Sequence, residues 1–423
     1  MRPWFLLLLL AAGISTAAAA TAPDSDLTFV LILTRHGVRS PLLKNEEMAR
    51  FAAEPWPEWE VPASILTPHG RQVMVLMGAY YRAAYAAEGL LSGDPARDAA
   101  KIFFRADANQ RTIVSAQALG EGLLPGEAVT VHALPFTHEH TGDPLLDPDT
   151  PLEHSDGALR TASMLGRIGG DPRLLIQENR PALETLERVL LGDAGVPLPG
   201  KSSLLDLPPL TLWPTAQRLV DAMVMEYSDG KPSAEVGWGR LRPADLPQLM
   251  ALSALNFDLS WRTPYRAQAS ASNLADHLLA TLEQAAAGKA VDGALGAPGQ
   301  RMVVVVGHDS NIVPLGGLLG LEWRIPDAPP NPYLPGGAMI FELRRRRSDG
   351  QFLVRTRYVS PTLRQSRDGA PFTPEHPPAS AAIFVPDCGT ADPGYDAPLE
   401  LFAAHVRAAI DPKLINPEPA AVR

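Results

Sequence analysis

Cysteine is nearly absent from this sequence: Cys388 is its single cysteine among 423 residues. No disulfide can form within the chain, so its stability has to come from packing, which a chain of this length can supply. Long apolar runs are missing beyond the first twenty-odd residues, so no membrane span is predicted in the mature chain.

Net positive charge is lacking as well. The 37 Lys and Arg residues are outnumbered by 47 Asp and Glu residues, which gives a formal net charge of −10. Nucleic-acid binding normally needs a broad basic surface, so nucleic acid is excluded as a partner. An acidic protein can still bind phosphate where a few cations line a concave site. Hydrophobic residues at 46% and charged residues at 20% are typical of a globular protein.

The N-terminus has the pattern of an export signal. Arg2 precedes the apolar stretch "WFLLLLLAAG", and small residues follow in "ISTAAAATAP". We predict a signal peptide over residues 1–20 that is removed near Ala20, and a periplasmic or secreted mature chain. The alternative is a membrane anchor, but the apolar run is short for a membrane span.

Several short segments read as buried strands. Near-continuous apolar character is typical of a sheet covered by helices on both faces. These segments are "LTFVLIL" (27–33), "KIFF" (101–104), "RMVVVVG" (301–307) and, more weakly, "AVTVHAL" (128–134). Thr67-Pro68 predicts a helix start, and residues 338–360 predict a hairpin that turns at 348–350.

The middle of the chain has a different pattern of apolar residues. Residues 172–191, 244–260 and 271–288 have helical periodicity, and no convincing strand interrupts them. We therefore predict an α/β fold, with a mixed sheet flanked by helices on both faces and an inserted, mainly helical domain. The predicted sheet domain is discontinuous, with residues 21–140 plus 296–423, and the insertion covers 141–295.

A run of four arginines, 344–347, stands beside the predicted hairpin turn. Such a run can mark a nucleic-acid patch. Arginines at that place also protect an exposed sheet edge from pairing with other chains, and this second interpretation is favoured.

Cations follow three of the predicted strands. The first strand leads into Arg35, His36 and Arg39; the second leads into Arg105 and then "DANQRT" with Arg111; the last leads into His308 and Asp309. In open α/β sheets, ligands bind outside the carboxyl ends of the strands. The sequence therefore predicts a pocket rich in positive charge with one acidic group.

Such a pocket suits phosphoryl transfer, which depends mainly on positioning and electrostatic stabilisation. Arginine guanidinium groups match phosphate oxygens two at a time. A neutral imidazole can attack phosphorus, and a nearby carboxyl can protonate the departing oxygen. A helix starting just after His36 would add amide donors, and Gly37 would let the backbone approach closely.

The motif "RHGVRSP" (35–41) with the late "GHDSN" (307–311) resembles the histidine acid phosphatase branch of the histidine phosphatase superfamily. Within that family the chain is most similar to bacterial periplasmic phytases and glucose-1-phosphatases. Further stretches that carry the resemblance are "ILTPHG", "DPLLDP", "GWGRL" and "PGGAMIFE".

The resemblance implies a role for each matching residue. His36 would be the nucleophile that forms a phosphohistidine, and Asp309 would be the proton donor, which implies an acidic pH optimum. The phosphoryl oxygens would be held by Arg35, Arg39, Arg111 and His308. Arg105 has no counterpart in this set. The family uses no metal or other cofactor.

The chain departs from its relatives at two places. Related periplasmic enzymes carry several disulfides, whereas Cys388 is here an orphan thiol. Phytase-type relatives have a Thr-Lys pair after the proline, and this chain has Leu42-Leu43 before Lys44. Binding of a highly phosphorylated inositol should therefore be weaker. Phytate, glucose 1-phosphate and simple monoesters all remain candidate substrates.

The sequence allows three other interpretations. His138-Glu139-His140 with His132 could bind a metal, but the spacing matches no standard zinc motif. A non-catalytic exported binder of phosphorylated small molecules would need neither the nucleophile nor the acid. A phosphomutase shares the Arg-His-Gly opening, but the export signal and the His308-Asp309 pair argue against it. The oligomeric state is not predicted.

Overall fold

The strands of the protein form one mixed sheet. The computed structural model describes residues 24–135, 142–147, 156–192 and 200–416. The strand order is β3-β2-β4-β1-β5-β6-β7, with β8 paired to β6. The bounds are β1 Ser25–Arg35, β2 Ile102–Ala106, β3 Val131–His132, β4 Met302–Gly307, β5 Ala338–Arg346, β6 Phe352–Ser360, β7 Ala379–Ile383 and β8 Ala397–Pro398.

The sheet has a parallel half and an antiparallel half. β1, β4, β2 and β3 pair in parallel, whereas β5, β6 and β7 extend the sheet from β1 by antiparallel pairing. The parallel strands bring their carboxyl ends to one edge, where Arg35 lies opposite Gly307 and Ala106 lies opposite Val306. This edge positions the candidate site.

Helices cover both faces of the sheet. Val30 and Ile32 of β1 pack in a core with α2 and α4, while Leu31 and Leu33 point into the larger core on the other face. The helices are α1 Asn45–Met48, α2 Pro68–Ala87, α3 Pro95–Asp98, α4 Gln110–Leu123, α5 Gly157–Arg167, α6 Pro172–Glu178, α7 Arg180–Leu191, α8 Pro209–Ser228, α9 Leu246–Trp261, α10 Pro264–Ala287, α11 Asp309–Leu318, α12 Leu363–Asp368 and α13 Leu399–Ala409.

The predicted fold class, a mixed sheet between helices, is confirmed. Thr67 caps α2 by accepting a hydrogen bond from the Gly70 amide, and Pro68 is the first residue of that helix. The predicted hairpin is the β5–β6 pair. The predicted helix over 172–191 is two helices, because the chain leaves the helical path at Asn179.

Two predictions about the organisation of the chain, the domain division and the signal peptide, stay predictions. Every regular element that the structure describes between 157 and 287 is helical, but the division into residues 21–140 plus 296–423 and 141–295 stays a prediction. The predicted signal peptide, 1–20, lies outside the described residues. None of the described helices is long and apolar enough to cross a membrane. Cys388 is buried as a free thiol, and burial raises its pKa to about 11.

The edge-protection interpretation of the arginine run is wrong. β5 is an internal strand, hydrogen-bonded to β1 on one side and to β6 on the other. Arg344 is buried and forms ion pairs with Glu342 and Glu88, while Arg347 pairs with Asp26 on the surface. These arginines are therefore engaged by carboxylates within the protein.

The helical part of the chain contains a buried carboxyl group that makes few hydrogen bonds. Glu226 of α8 is fully buried; Oε2 accepts a hydrogen bond from the Gly237 amide at 3.1 Å, and Oε1 has no hydrogen-bond partner among the described residues. Burial raises the pKa of Glu226 to about 8, although the Gly237 amide and Lys231 act in the opposite direction. Glu226 is therefore protonated at neutral pH.

Replacing Glu226 by glutamine is expected to stabilise the protein at pH 8 but not at pH 4.5. Between an unfolded pKa near 4.5 and the folded value near 8, only the unfolded chain releases this proton. The free energy of unfolding of the unmodified protein therefore falls as pH rises, by about 1.4 kcal/mol per pH unit from this group. Glutamine removes that dependence.

Thermal melts of both proteins from pH 4.5 to pH 8 measure this effect. The control is Glu184→Gln, which alters an exposed glutamate of α7 and should leave the dependence of Tm on pH unchanged. Parallel curves for the Glu226→Gln variant and the unmodified protein would contradict the expectation.

Candidate active site

The carboxyl ends of β1, β4 and β2 bring the predicted residues together. The sheet pairing continues for one residue past two of the strands, because the His36 amide donates to the Gly307 carbonyl at 3.0 Å and the Asp107 amide donates to the Val306 carbonyl at 3.1 Å. The rings of His36 and His308 consequently lie 5.5 Å apart, centroid to centroid. Residues distant in sequence thus form one cluster.

His36 lies at the centre of this cluster and is 2% exposed. Its Nδ1 atom is 2.8 Å from the carbonyl oxygen of Gly37. A carbonyl can only accept, so Nδ1 carries the hydrogen and Nε2 carries the free electron pair. Burial, followed by the positive charges of Arg35, Arg111 and Arg39, lowers the pKa of His36 well below its ordinary value of 6.5. The imidazole is therefore neutral and available as a nucleophile.

The backbone after His36 is held by a close approach to α2. A Cβ atom on Gly37 would lie 2.8 Å from Met74 Cγ and 2.9 Å from the Gly70 carbonyl oxygen, so only glycine fits. The amide of Gly37 donates to Ser115 Oγ of α4 at 3.0 Å. The expectation of a helix just after His36 is wrong, because residues 36–44 are not helical. The helices that begin at this edge are α4 and α11.

Arg35 and Arg39 are both buried and share one carboxylate. Asp221 of α8 lies 3.3 Å from Arg35 Nη2 through Oδ1 and 2.8 Å from Arg39 Nη2 through Oδ2. Burial alone would raise the pKa of Asp221, but the guanidinium groups of Arg39 and Arg35 outweigh it and hold the pKa below its ordinary value. A carboxylate from the helical part of the chain therefore fixes the spacing of the two arginines.

Carbonyl groups hold the other ends of the two guanidinium groups. Arg35 Nη1 donates to the Tyr333 carbonyl at 2.8 Å, and Arg39 Nη1 donates to the Ser40 carbonyl at 3.0 Å. Held on both sides by the protein, each guanidinium has a defined orientation before any ligand arrives.

Arg111 and His308 complete the positive cluster from two helix N-termini. Arg111 is in the first turn of α4 and lies near enough to lower the pKa of His36. His308 is the N-cap residue of α11, and its Nε2 atom is 2.8 Å from Asp107 Oδ2. The N-terminal ends of both helices add partial positive charge, which favours an anion at this edge.

Asp309, the first residue of α11, is the acidic group of the cluster. Its Oδ2 atom is 2.9 Å from Arg35 Nη2, and its Oδ1 atom accepts a hydrogen bond from the Ser310 amide at 2.8 Å. Its side chain is 19% exposed, whereas that of Arg35 is 2% exposed. Asp309 therefore lies at the rim of the cluster, on the side that solvent reaches.

Arg105 does not belong to the site. It lies inside β2, is buried, and forms an ion pair with Asp143. Two residues of the site, Asp107 and Asp221, are not predicted by the sequence analysis. Asp107 stands directly after β2, level with Arg35 and Gly307 and one register position before His36 and His308, and its place after a predicted strand could have indicated it. Asp221 is an isolated charge in the apolar stretch "RLVDAMVM", which indicates a buried carboxylate with a partner.

The structure offers no metal site in the part of the chain that it describes, since no group of His, Cys, Asp and Glu side chains there could hold an ion. His132 is in β3 and stacks on Phe103, with ring centroids 4.6 Å apart. His138, Glu139 and His140 lie outside the described residues.

Comparison with known proteins identifies the family. Residues 26–161 and 229–359, more than half of the chain, match the histidine phosphatase superfamily (branch 2). The chain belongs to this superfamily. It is 31% identical to phytase AppA of Escherichia coli (strain K12) over 404 residues, covering 91% of this chain and 92% of the relative. It is 27% identical to glucose-1-phosphatase of Salmonella typhimurium (strain LT2) over 411 residues, covering 92% and 94%.

Solved structures give the same result. The phytase from Citrobacter braakii superposes with a TM-score of 0.81 at 27% identity, covering 92% of this chain and 99% of that chain. Because its family and its relatives are phosphatases, the chain is a phosphomonoester hydrolase. This confirms the predicted hydrolase and not the alternatives of a non-catalytic phosphate-binding protein or a mutase.

Proposed function

We propose that this superfamily member cleaves phosphate monoesters in two steps, through a phosphohistidine on His36. The observation that carries the proposal is a buried, neutral imidazole whose Nδ1 is occupied by the Gly37 carbonyl. Nε2 is then the one ring nitrogen with an electron pair to attack phosphorus. The surrounding guanidinium groups keep the ring neutral and also attract the anionic substrate.

In the first step Nε2 of His36 forms a bond to phosphorus while the ester oxygen leaves with the bonding electrons. Arg35, Arg39, Arg111 and His308 bind the phosphoryl oxygens and stabilise the charge that builds up on them. Asp309, at the rim, gives its proton to the departing oxygen. In the second step Asp309 accepts a proton from water as the water attacks phosphorus, which releases inorganic phosphate and restores His36.

This mechanism favours acidic pH. Because the pKa of His36 is low, the imidazole stays neutral well below pH 6.5, and Nε2 keeps its electron pair in acidic solution. Asp309 has to carry a proton when the ester oxygen leaves, and a bound phosphoryl group competes with the Asp309 carboxylate for Arg35. Activity should therefore decline toward alkaline pH.

We propose monoesters with a single phosphate as the preferred substrates. The chain beside the nucleophile continues as Leu42, which is 44% exposed, and Leu43, which lines a cavity of about 260 Å³ with Lys44 and Trp59. Two leucines next to the cluster offer no charge to further phosphate groups. Binding of a hexakisphosphate would have to rely on residues farther from His36.

A panel of substrates tests this preference. We expect kcat/KM for glucose 1-phosphate and p-nitrophenyl phosphate to exceed that for phytate by about tenfold or more, the scale of one charged contact. Leu43→Lys should raise kcat/KM for phytate, and Leu43→Gln, which adds polarity without charge, should raise it less. Phytate as the best substrate of the unmodified protein would contradict the preference.

Export completes the proposal. The N-terminal pattern supports removal of residues 1–20 and function in the periplasm or outside the cell. Mass spectrometry of the protein recovered from the periplasm or the medium of an expressing bacterium would test it. A chain that begins at Met1 and stays in the cytoplasm would contradict export.

A further inference from the structure

The segment between β2 and α4 links two of the proposed phosphate-binding residues. Arg111 Nη1 donates to Asn109 Oδ1 at 3.3 Å, and Asn109 Nδ2 donates to Asp107 Oδ2 at 2.6 Å. The same Asp107 oxygen is 2.8 Å from His308 Nε2. Arg111, Asn109, Asp107 and His308 thus form one continuous chain of hydrogen bonds.

The direction of each hydrogen bond in this chain is determined. A guanidinium can only donate and a carboxylate can only accept, so the amide of Asn109 has to place its oxygen toward Arg111 and its nitrogen toward Asp107. For the same reason Nε2 of His308 carries a hydrogen and donates it to Asp107. A phosphoryl oxygen also only accepts, so His308 binds it through Nδ1 as an imidazolium, with a hydrogen on each ring nitrogen.

Asp107 is anchored to the strands that carry the site. It is 1% exposed, its amide donates to the Val306 carbonyl of β4 at 3.1 Å, and its carbonyl accepts from Thr112 Oγ1 of α4 at 2.7 Å. A buried carboxylate is costly unless it is hydrogen-bonded to polar or charged partners. Here those partners include His308 and Asn109, both of which lead into the cluster around His36.

We propose that Asp107 is a positioning residue of this enzyme. With Asn109, its carboxylate holds Arg111 and His308 in one arrangement, so that both meet the same phosphoryl group. The inference rests on the proposed roles of Arg111 and His308. Loss of such support typically displaces a site by a fraction of an ångström and costs about 10- to 100-fold in rate or affinity.

The test compares Asp107→Ala with Asp107→Asn. Alanine removes the acceptor, and we expect kcat/KM for p-nitrophenyl phosphate to fall by about 10- to 100-fold. The inhibition constant of inorganic phosphate should rise by about tenfold or more, because His308 and Arg111 lose their common support. Asparagine keeps an oxygen that can accept from both neighbours, so it should restore much of the loss.

A second buried aspartate provides the matched control. Asp98 is 2% exposed and accepts hydrogen bonds from the amides of Ser92 and Gly93, in a loop at the opposite end of β2. Asp98→Ala should lower Tm but leave kcat/KM and the phosphate inhibition constant within about twofold of the unmodified protein. Histidine ¹⁵N spectra add a direct readout, because the hydrogen on His308 Nε2 should lose its hydrogen-bonded signal in Asp107→Ala but not in Asp98→Ala.

If Asp107→Ala does not fold, Asn109→Ala interrupts the same chain and should still raise the phosphate inhibition constant several-fold. The proposal is overturned if folded Asp107→Ala, or Asn109→Ala in its place, matches the unmodified protein in kcat/KM and phosphate inhibition. It is also overturned if the asparagine variant is as impaired as the alanine variant. Either result together with an inactive His36→Ala protein would leave the proposed function standing; turnover by His36→Ala would remove the proposed function itself.

Discussion

Replacing His36 by alanine is expected to lower kcat for p-nitrophenyl phosphate by roughly 10⁴-fold or more, the scale on which covalent catalysis fails when its nucleophile is deleted. The remaining guanidinium groups can still bind the phosphoryl group, so KM should change far less than kcat. The large effect on kcat is expected because Arg35, Arg39 and Arg111 lower the activation barrier for attack on phosphorus only when a nucleophile lies among them.

Trapping of the intermediate makes this prediction specific. Brief reaction with a radiolabelled monoester, followed by denaturation at alkaline pH, should leave acid-labile label on the unmodified protein and none on His36→Ala. The matched control is His277→Ala, which removes another buried histidine, one in α10 whose ring nitrogens lie at 2.6 Å and 3.0 Å from the carbonyl oxygens of Gly293 and Asn416. It should lose stability and keep both label and turnover in its folded fraction. Label on the His36→Ala protein would place the covalent bond elsewhere.

Replacing Asp309 by asparagine is expected to affect substrates according to their leaving group. With an alkyl phosphate such as glycerol phosphate the departing oxygen needs a proton, so kcat should fall by about 10²- to 10⁴-fold. Nitrophenolate leaves without a proton, and the loss for p-nitrophenyl phosphate should be about tenfold at most. The decline of activity toward alkaline pH should also weaken in the variant, because the group that must stay protonated is gone.

Asp221→Asn is the matched control for this experiment. Both aspartates form an ion pair with Arg35, through Asp309 Oδ2 at 2.9 Å and Asp221 Oδ1 at 3.3 Å. Asp221 binds both Arg35 and Arg39, its side chain is 11% exposed against 19% for Asp309, and in the proposed mechanism it transfers no proton. Its replacement should therefore impair the two substrates by the same factor. Equal losses in Asp309→Asn would show that Asp309 is not the proton donor.

Much of the candidate site could be predicted because most of its residues come directly after predicted strands in the sequence. The apolar runs 27–33, 101–104 and 301–307 mark strands by composition alone, and a parallel arrangement brings their carboxyl ends to one edge. The residues that follow those runs, among them Arg35, His36 and His308, do lie at one site. The charge pattern of the sequence includes Arg105 as well, but Arg105 is still inside β2, where side chains alternate between the two faces of the sheet, and Asp143 binds it.

The amino-acid sequence by itself determined the reaction class, the sheet and the list of cations, since local composition and short motifs carry that information. Tertiary structure alone decided which carboxylates those cations meet. Asp221 reaches Arg35 across 186 positions and Asp107 reaches His308 across 201. Such pairings depend on how helices and strands pack, and a buried charge is stabilised by whichever opposite charge the packing brings within a few ångströms of it.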